Sequence, residues 1–84
     1  MVVVEIFSAE ECSLCVKAKE TLLKLRKTIP FDLRETVIRE GDSHYEEMKE
    51  KVPVIRIDGT YACHFRIREE EFVSLLRAAA ERGR

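Results

Sequence analysis

Apolar positions change period along this chain, and each change marks an element. Val2-Val3-Val4-Glu5-Ile6-Phe7 is nearly continuous in apolar and β-branched character, the pattern of a strand covered on both faces. Between Cys12 and Ile29 the apolar residues Leu14, Ala18, Leu22, Leu25 and Ile29 recur at steps of three or four, which predicts one face of an amphipathic helix. Ser8 and Glu11 have the spacing of a capping box ahead of that helix. Pro30 ends it, because the residue before a proline avoids the helical region. Phe31 to Ile38 alternates only roughly and has one largely polar face, so it predicts a strand at a sheet edge or partly covered.

The second half follows the same logic. Arg39-Glu40-Gly41-Asp42 predicts a turn, and Ser43 with Glu46 a second capping box. Tyr45, Met48 and Val52 can share one face of a short helix that Val52-Pro53 closes. Val54 to Ile57 is a third strand, Asp58-Gly59 a two-residue hairpin turn, and Thr60 to Phe65 a fourth strand antiparallel to the third. Glu69-Glu70-Glu71 stands where the positive end of a helix dipole favours acids, and Phe72, Leu75, Leu76 and Ala79 mark the buried face of a last helix. No repeat, low-complexity stretch or linker interrupts the order, so residues 1–84 read as one domain. The expected architecture is α/β: a four-stranded mixed sheet with three helices in the order β-α-β-α-β-β-α, its first unit a right-handed parallel crossover.

Composition adds limits. Eighty-four residues are near the smallest size that a hydrophobic core alone can hold. Charged residues are 37% of the chain, well above the usual quarter, and suit a soluble surface. Fifteen basic and 16 acidic residues give a net charge of -1, so no field of one sign attracts nucleic acid or an anionic membrane. Arg82-Gly83-Arg84 reads as a frayed tail. No apolar run is long enough to span a bilayer, and the N-terminus lacks the basic-then-apolar order of a secretory signal; both predict a cytoplasmic protein. Three cysteines argue against a disulfide framework and for a reactive or metal-binding pair in a reducing compartment.

That pair is Cys12-Ser13-Leu14-Cys15, at a strand-to-helix junction. Disulfide exchange needs one thiolate to attack and a second thiol to resolve the mixed disulfide. Two intervening residues set both sulfurs on the first helical turn. Cys12 meets the unpaired N–H groups and the dipole, which makes it the expected nucleophile, and Cys15, one turn in, the expected resolver. Lys17 or Lys19 near the thiol would favour the thiolate, while Glu10 and Glu11 would oppose it.

Together Glu11-Cys12-Ser13-Leu14-Cys15, Val52-Pro53-Val54, the Asp58-Gly59 hairpin and a last helix starting near Glu69 resemble the thioredoxin superfamily, and more closely its glutaredoxin-like branch. The chain is most similar to small bacterial and archaeal glutaredoxin-like proteins with Leu before the second cysteine. The resemblance implies a thioredoxin-like fold and a thiol-disulfide oxidoreductase that reduces disulfides of proteins or small molecules. It implies a cis peptide bond before Pro53, which faces the dithiol, and a Val52 backbone that pairs with substrate like an added strand. Ser13 and Leu14 complete the expected substrate-contacting set. Glutaredoxins usually carry Pro and an aromatic residue between the cysteines, and a Gly-Gly pair after the fourth strand; here Ser13-Leu14 and Arg66-Ile67-Arg68 stand there. The electron donor is thus left open between glutathione, whose carboxylates Lys51, Arg66 and Arg68 would meet, and a flavoprotein reductase. No bound cofactor is expected.

Tyr61, Cys63 and Phe65 share a strand face and read as core, with Cys63 buried and inert; His44 reads as solvated. Two rival functions use the same residues. One is a metal or iron–sulfur module built on Cys12, Cys15 and Cys63 or His64, which falls short of the four ligands of a structural zinc site; the other is a redox-silent partner-binding domain.

Overall fold

In the computed structural model, which describes residues 1–83, the elements are β1 (Val3–Ser8), α1 (Ser13–Arg26), β2 (Asp32–Val37), α2 (Tyr45–Met48), β3 (Val54–Ile57), β4 (Thr60–His64) and α3 (Glu69–Arg82). The order is the expected β-α-β-α-β-β-α. One sheet holds the strands as β2-β1-β3-β4: β1 runs parallel to β2 and antiparallel to β3, and β4 returns antiparallel to β3. The continuously apolar β1 lies inside the sheet. The half-polar β2 lies at its edge, as its alternation predicts.

Strand alternation sorts the core into two layers. Val4 and Ile6 of β1, opposite Leu33 and Glu35 of β2 and Ile57 and Ile55 of β3, share a cluster with Ala18 and Leu22 of α1 and with Phe72, Leu76 and Ala79 of α3. The other face carries Phe7 and Val54 under Met48 and Ile38, a smaller cluster that Tyr45 and Val52 flank. Beyond it the face turns polar. Glu5 sits between Arg34 and Arg56 in the ladder, and Arg56 lies over the Phe7 ring at 5.0 Å.

Several terminal details depart from the sequence reading. Neither capping box forms. Ser8 is the buried last residue of β1, and Cys12 itself caps α1. At α2 the N-cap position falls on His44, one residue after Ser43, and carries no side-chain cap, while Glu46 pairs with Lys49 at 2.9 Å. α1 stops at Arg26 rather than running to Ile29: the amides of Lys27 and Thr28 reach back only three residues, to Lys24 and Leu25, and tighten the turn before Pro30. His44 is half-buried with its ring edge-on to Phe7, rather than solvated. Leu75 is exposed rather than part of the buried face of α3.

The Asp58-Gly59 hairpin holds as expected, with both residues at positive φ (49° and 81°), the signature of a type I′ turn. β4 itself is bulged. Ile55 pairs with Cys63 but Arg56 with Tyr61, which leaves Ala62 as the extra residue. Strict alternation is therefore lost. Ala62 and Cys63 both pack towards the α1–α3 core, while Tyr61 (56% exposed) and Phe65 (43% exposed) lie outside it, so the three-residue core face expected of β4 does not exist.

Candidate active site

The site grows from the junction of β1 and α1. Ile6 to Ser8 are fully or nearly buried and fix the end of β1 inside the sheet. The chain then bends through Glu11, held at φ 52°, a left-handed conformation that costs a non-glycine residue on the order of 1 kcal/mol or more. Cys12 follows with extended backbone (φ -115°, ψ 105°), the geometry of an N-cap. Its sulfur takes the place of the usual capping oxygen: Sγ accepts the amide N–H of Cys15 at 3.2 Å, and its carbonyl accepts the amide of Val16 at 3.2 Å.

Cys12 and Cys15 are joined as a disulfide, with Cα atoms 5.2 Å apart, inside the range such a bridge requires. Cys12 is half-buried, whereas Cys15 is 5% exposed. The outer sulfur is thus the one on the helix end, where N–H groups favour negative charge. The first turn of α1 has no acid to oppose that effect.

The pair opens on a groove of about 650 Å³ between α1 and the β2 edge, walled by Val16, Leu23 and Val37. Lys19 projects into it but is bound to Glu35 at 2.9 Å, and Glu35 also approaches the Ser8 hydroxyl at 3.5 Å. Of the two lysines expected to favour the thiolate, then, Lys19 has its charge largely offset. Lys17 lies in a second hollow, beside Leu14 and the Phe65-Arg66-Ile67 corner.

The sequence-derived residues therefore separate. Cys12, Ser13 and Cys15 line the groove together, and Leu14 faces the second hollow. Pro53 is fully buried, preceded by a cis peptide bond, and its carbonyl accepts the amide of Phe65 at 2.9 Å. Val52 is half-buried against the smaller core cluster, and neither its N–H nor its C=O is hydrogen-bonded within the chain among the described residues. The Val16–Leu23 wall escaped the sequence reading. The available signal was their seven-residue spacing on α1, one position removed from the buried Cys15–Leu22 stripe.

Cys63 and His64 lie apart from the dithiol, in a hollow between β4 and α3 where the Tyr61 hydroxyl bonds His64 Nδ1. Burial pushes the Cys63 thiol up to about 11, with Glu71 adding to the shift, and the residue is half-buried rather than fully enclosed. Among the described residues no three His, Cys, Asp or Glu side chains converge on a metal position, so the cysteine–histidine metal reading finds no ligand cluster. No helix among them is long and apolar enough to cross a membrane.

The profile of the Glutaredoxin-like domain (DUF836) matches residues 3–77, most of the chain and both cysteines of the pair. The chain belongs to this glutaredoxin-like family. Solved structures place that family's fold: thioredoxin-2 of the malaria parasite superposes with a TM-score of 0.70 at 20% identity, over 93% of this chain and 82% of its own. Thioredoxin O2 from Arabidopsis thaliana in its oxidized state gives 0.63 at 19% identity, over 93% and 74%. Thioredoxin f2 from Chlamydomonas reinhardtii gives 0.64 at 16% identity, over 92% and 77%. At these identities the likeness establishes a thioredoxin fold for this glutaredoxin-like chain. No functionally curated protein matches its sequence. Family membership and the Cys12–Cys15 pair together support a redox-type function.

Proposed function

We propose that this glutaredoxin-like protein is a thiol-disulfide oxidoreductase that reduces disulfides in a reducing compartment such as the cytoplasm. The observation that carries the reading is the placement of Cys12: half-exposed, capping α1, and within reach of a covered second cysteine. The reduced pair begins the cycle. The Cys12 thiolate attacks one sulfur of a substrate disulfide, forms a mixed disulfide and expels the other substrate sulfur as a thiolate, which takes up a proton. Cys15 gives up its proton and attacks Sγ of Cys12. The Cys12–Cys15 bond forms, the mixed disulfide breaks, and the second substrate thiolate leaves. Two electrons pass from the dithiol to the substrate, and an external thiol or dithiol donor, glutathione or a flavoprotein-reduced partner, returns them.

The cap geometry supports the order of attack. The N–H of Cys15 and the helix end stabilise a thiolate at Cys12 and a departing thiolate there during resolution. Val52 supports substrate docking, since its free backbone groups suit the pairing of an extended substrate segment as an added strand, with Pro53 buried beneath. Ser13 and Leu14 contact substrate on either side of the disulfide.

Single substitutions test the assignment. Cys12→Ser is expected to abolish reduction of a small disulfide. Cys15→Ser is expected to stall at a mixed disulfide on Cys12, visible as a mass increase of half a symmetric substrate less one hydrogen. Accumulation of the mixed species on Cys15 in Cys12→Ser, or wild-type turnover in either variant, would refute it.

A further inference from the structure

The groove beside the disulfide has a character that selects among substrates. Its exposed wall is aliphatic: Val16 is 59% and Leu23 38% exposed on α1, opposite Val37 of the β2 edge. Its charged lining is three carboxylates, Glu11, Glu20 and Glu35, against the single ammonium of Lys19, which Glu35 already binds at 2.9 Å. The net lining charge is therefore -2, three negative and one positive, with no unpaired cation to receive a carboxylate. From Cys12 to Leu23 the wall follows eleven helical residues, roughly 16 Å at 1.5 Å per residue. An extended chain needs about five residues to span that distance.

From these features we propose that the groove binds an extended polypeptide segment flanking the reactive cysteine of a protein disulfide, a segment carrying aliphatic side chains and at least one Lys or Arg. This rests on the oxidoreductase reading and names its substrate class. The aliphatic side chains lie on Val16, Leu23 and Val37, and the basic side chain meets Glu11 or Glu20. Glutathione is too short to reach Leu23, and its carboxylates meet acids along the way. A segment with Asp or Glu in place of the basic residue faces the same repulsion.

The proposal can be measured apart from turnover. Short peptides with Ser in place of the reactive Cys are titrated into the oxidised full-length protein and followed by amide chemical shifts: one aliphatic and basic, one aliphatic and acidic, and glutathione disulfide as the small comparison. The aliphatic–basic peptide is expected to bind about tenfold or more tighter than the acidic one, with shifts centred on Val16, Leu23 and Val37. Leu23→Ser is expected to weaken it about tenfold, and Glu20→Lys to remove the preference for the basic peptide. Equal binding of the two peptides, shifts centred on Leu14 and Phe65 to Ile67, or glutathione disulfide binding as tightly would overturn it. A parallel assay of wild-type reduction of hydroxyethyl disulfide, small and uncharged, reads the oxidoreductase proposal by itself. Loss of that activity with peptide selectivity intact would sink the chemistry and leave the groove as a binding site.

Discussion

The amide N–H of Cys15 points at the Sγ of Cys12 across 3.2 Å. A sulfur that caps its own helix is held where a negative charge is best tolerated, while the second sulfur is covered by the fold. The two cysteines of one short motif thereby acquire different chemistry, and that difference can be read directly. With the fully reduced protein and limiting iodoacetamide at neutral pH, Cys12 is expected to be alkylated about tenfold or more faster than Cys15 or Cys63. Peptide mass mapping of the first label checks it, and a first label on Cys15 or Cys63 would contradict the cap argument.

Cys63 should behave in the opposite way. In a Cys12→Ser/Cys15→Ser variant it is the sole thiol, and its reactivity should rise with pH towards a midpoint of about 11, above the ordinary 9.0, because burial disfavours the thiolate and Glu71 adds to the effect. The folded state thus holds this proton more tightly than the unfolded chain. The associated stability is complete below the unfolded value of 9.0 and is lost as pH rises through the folded value of about 11. Denaturant unfolding across that window should show a decline that Cys63→Ala reduces. A midpoint at or below 9.0 would mean that the thiol is not desolvated.

Phe65 holds φ at 63° just beyond β4 while its amide bonds the Pro53 carbonyl. A side chain in that region is strained and glycine is not. Comparing Phe65→Gly with Phe65→Ala removes the ring in both, so Gly should be the more stable by about 1 kcal/mol in denaturant unfolding. An alanine variant as stable as the glycine one would show that this corner relaxes.

Leu22 is wholly buried where α1 meets the sheet and α3. Leu22→Ala is expected to cost about 2–5 kcal/mol, a large share of the roughly 5–15 kcal/mol available to a folded domain. Urea titration should show the midpoint falling sharply. A loss under about 1 kcal/mol would place the core elsewhere.

Most of the fold was legible in the chain because period 2 and period 3.6 are written in the core positions themselves. β1 reads as an interior strand since Val4, Ile6 and Phe7 are all covered, and Asp58-Gly59 reads as a hairpin since both residues tolerate positive φ. The starts of α1 and α3 were legible, from the cysteine pair and from the Glu69-Glu70-Glu71 run, but the caps were not. Ser8 and Ser43 have capping chemistry, but Ser8 is consumed by the sheet, and at the start of α1 a cysteine does the capping. The β4 face was misread because one inserted residue, Ala62, breaks the alternation that any periodicity argument assumes. In the site, the cysteine pair stood out by spacing alone. The groove did not, because Val16, Leu23 and Val37 come together only when α1 packs beside the β2 edge.

The central claim is that Cys12 and Cys15 cycle between dithiol and disulfide at the expense of a substrate. The most direct measurement is the mass and thiol map of the reduced protein after exposure to a small excess of hydroxyethyl disulfide, followed by dithiothreitol. The account predicts loss of two hydrogens, a Cys12–Cys15 bridge with Cys63 still free, release of mercaptoethanol, and full recovery on reduction. A protein that stays reduced, or that oxidises through Cys63 or between chains instead, would contradict it.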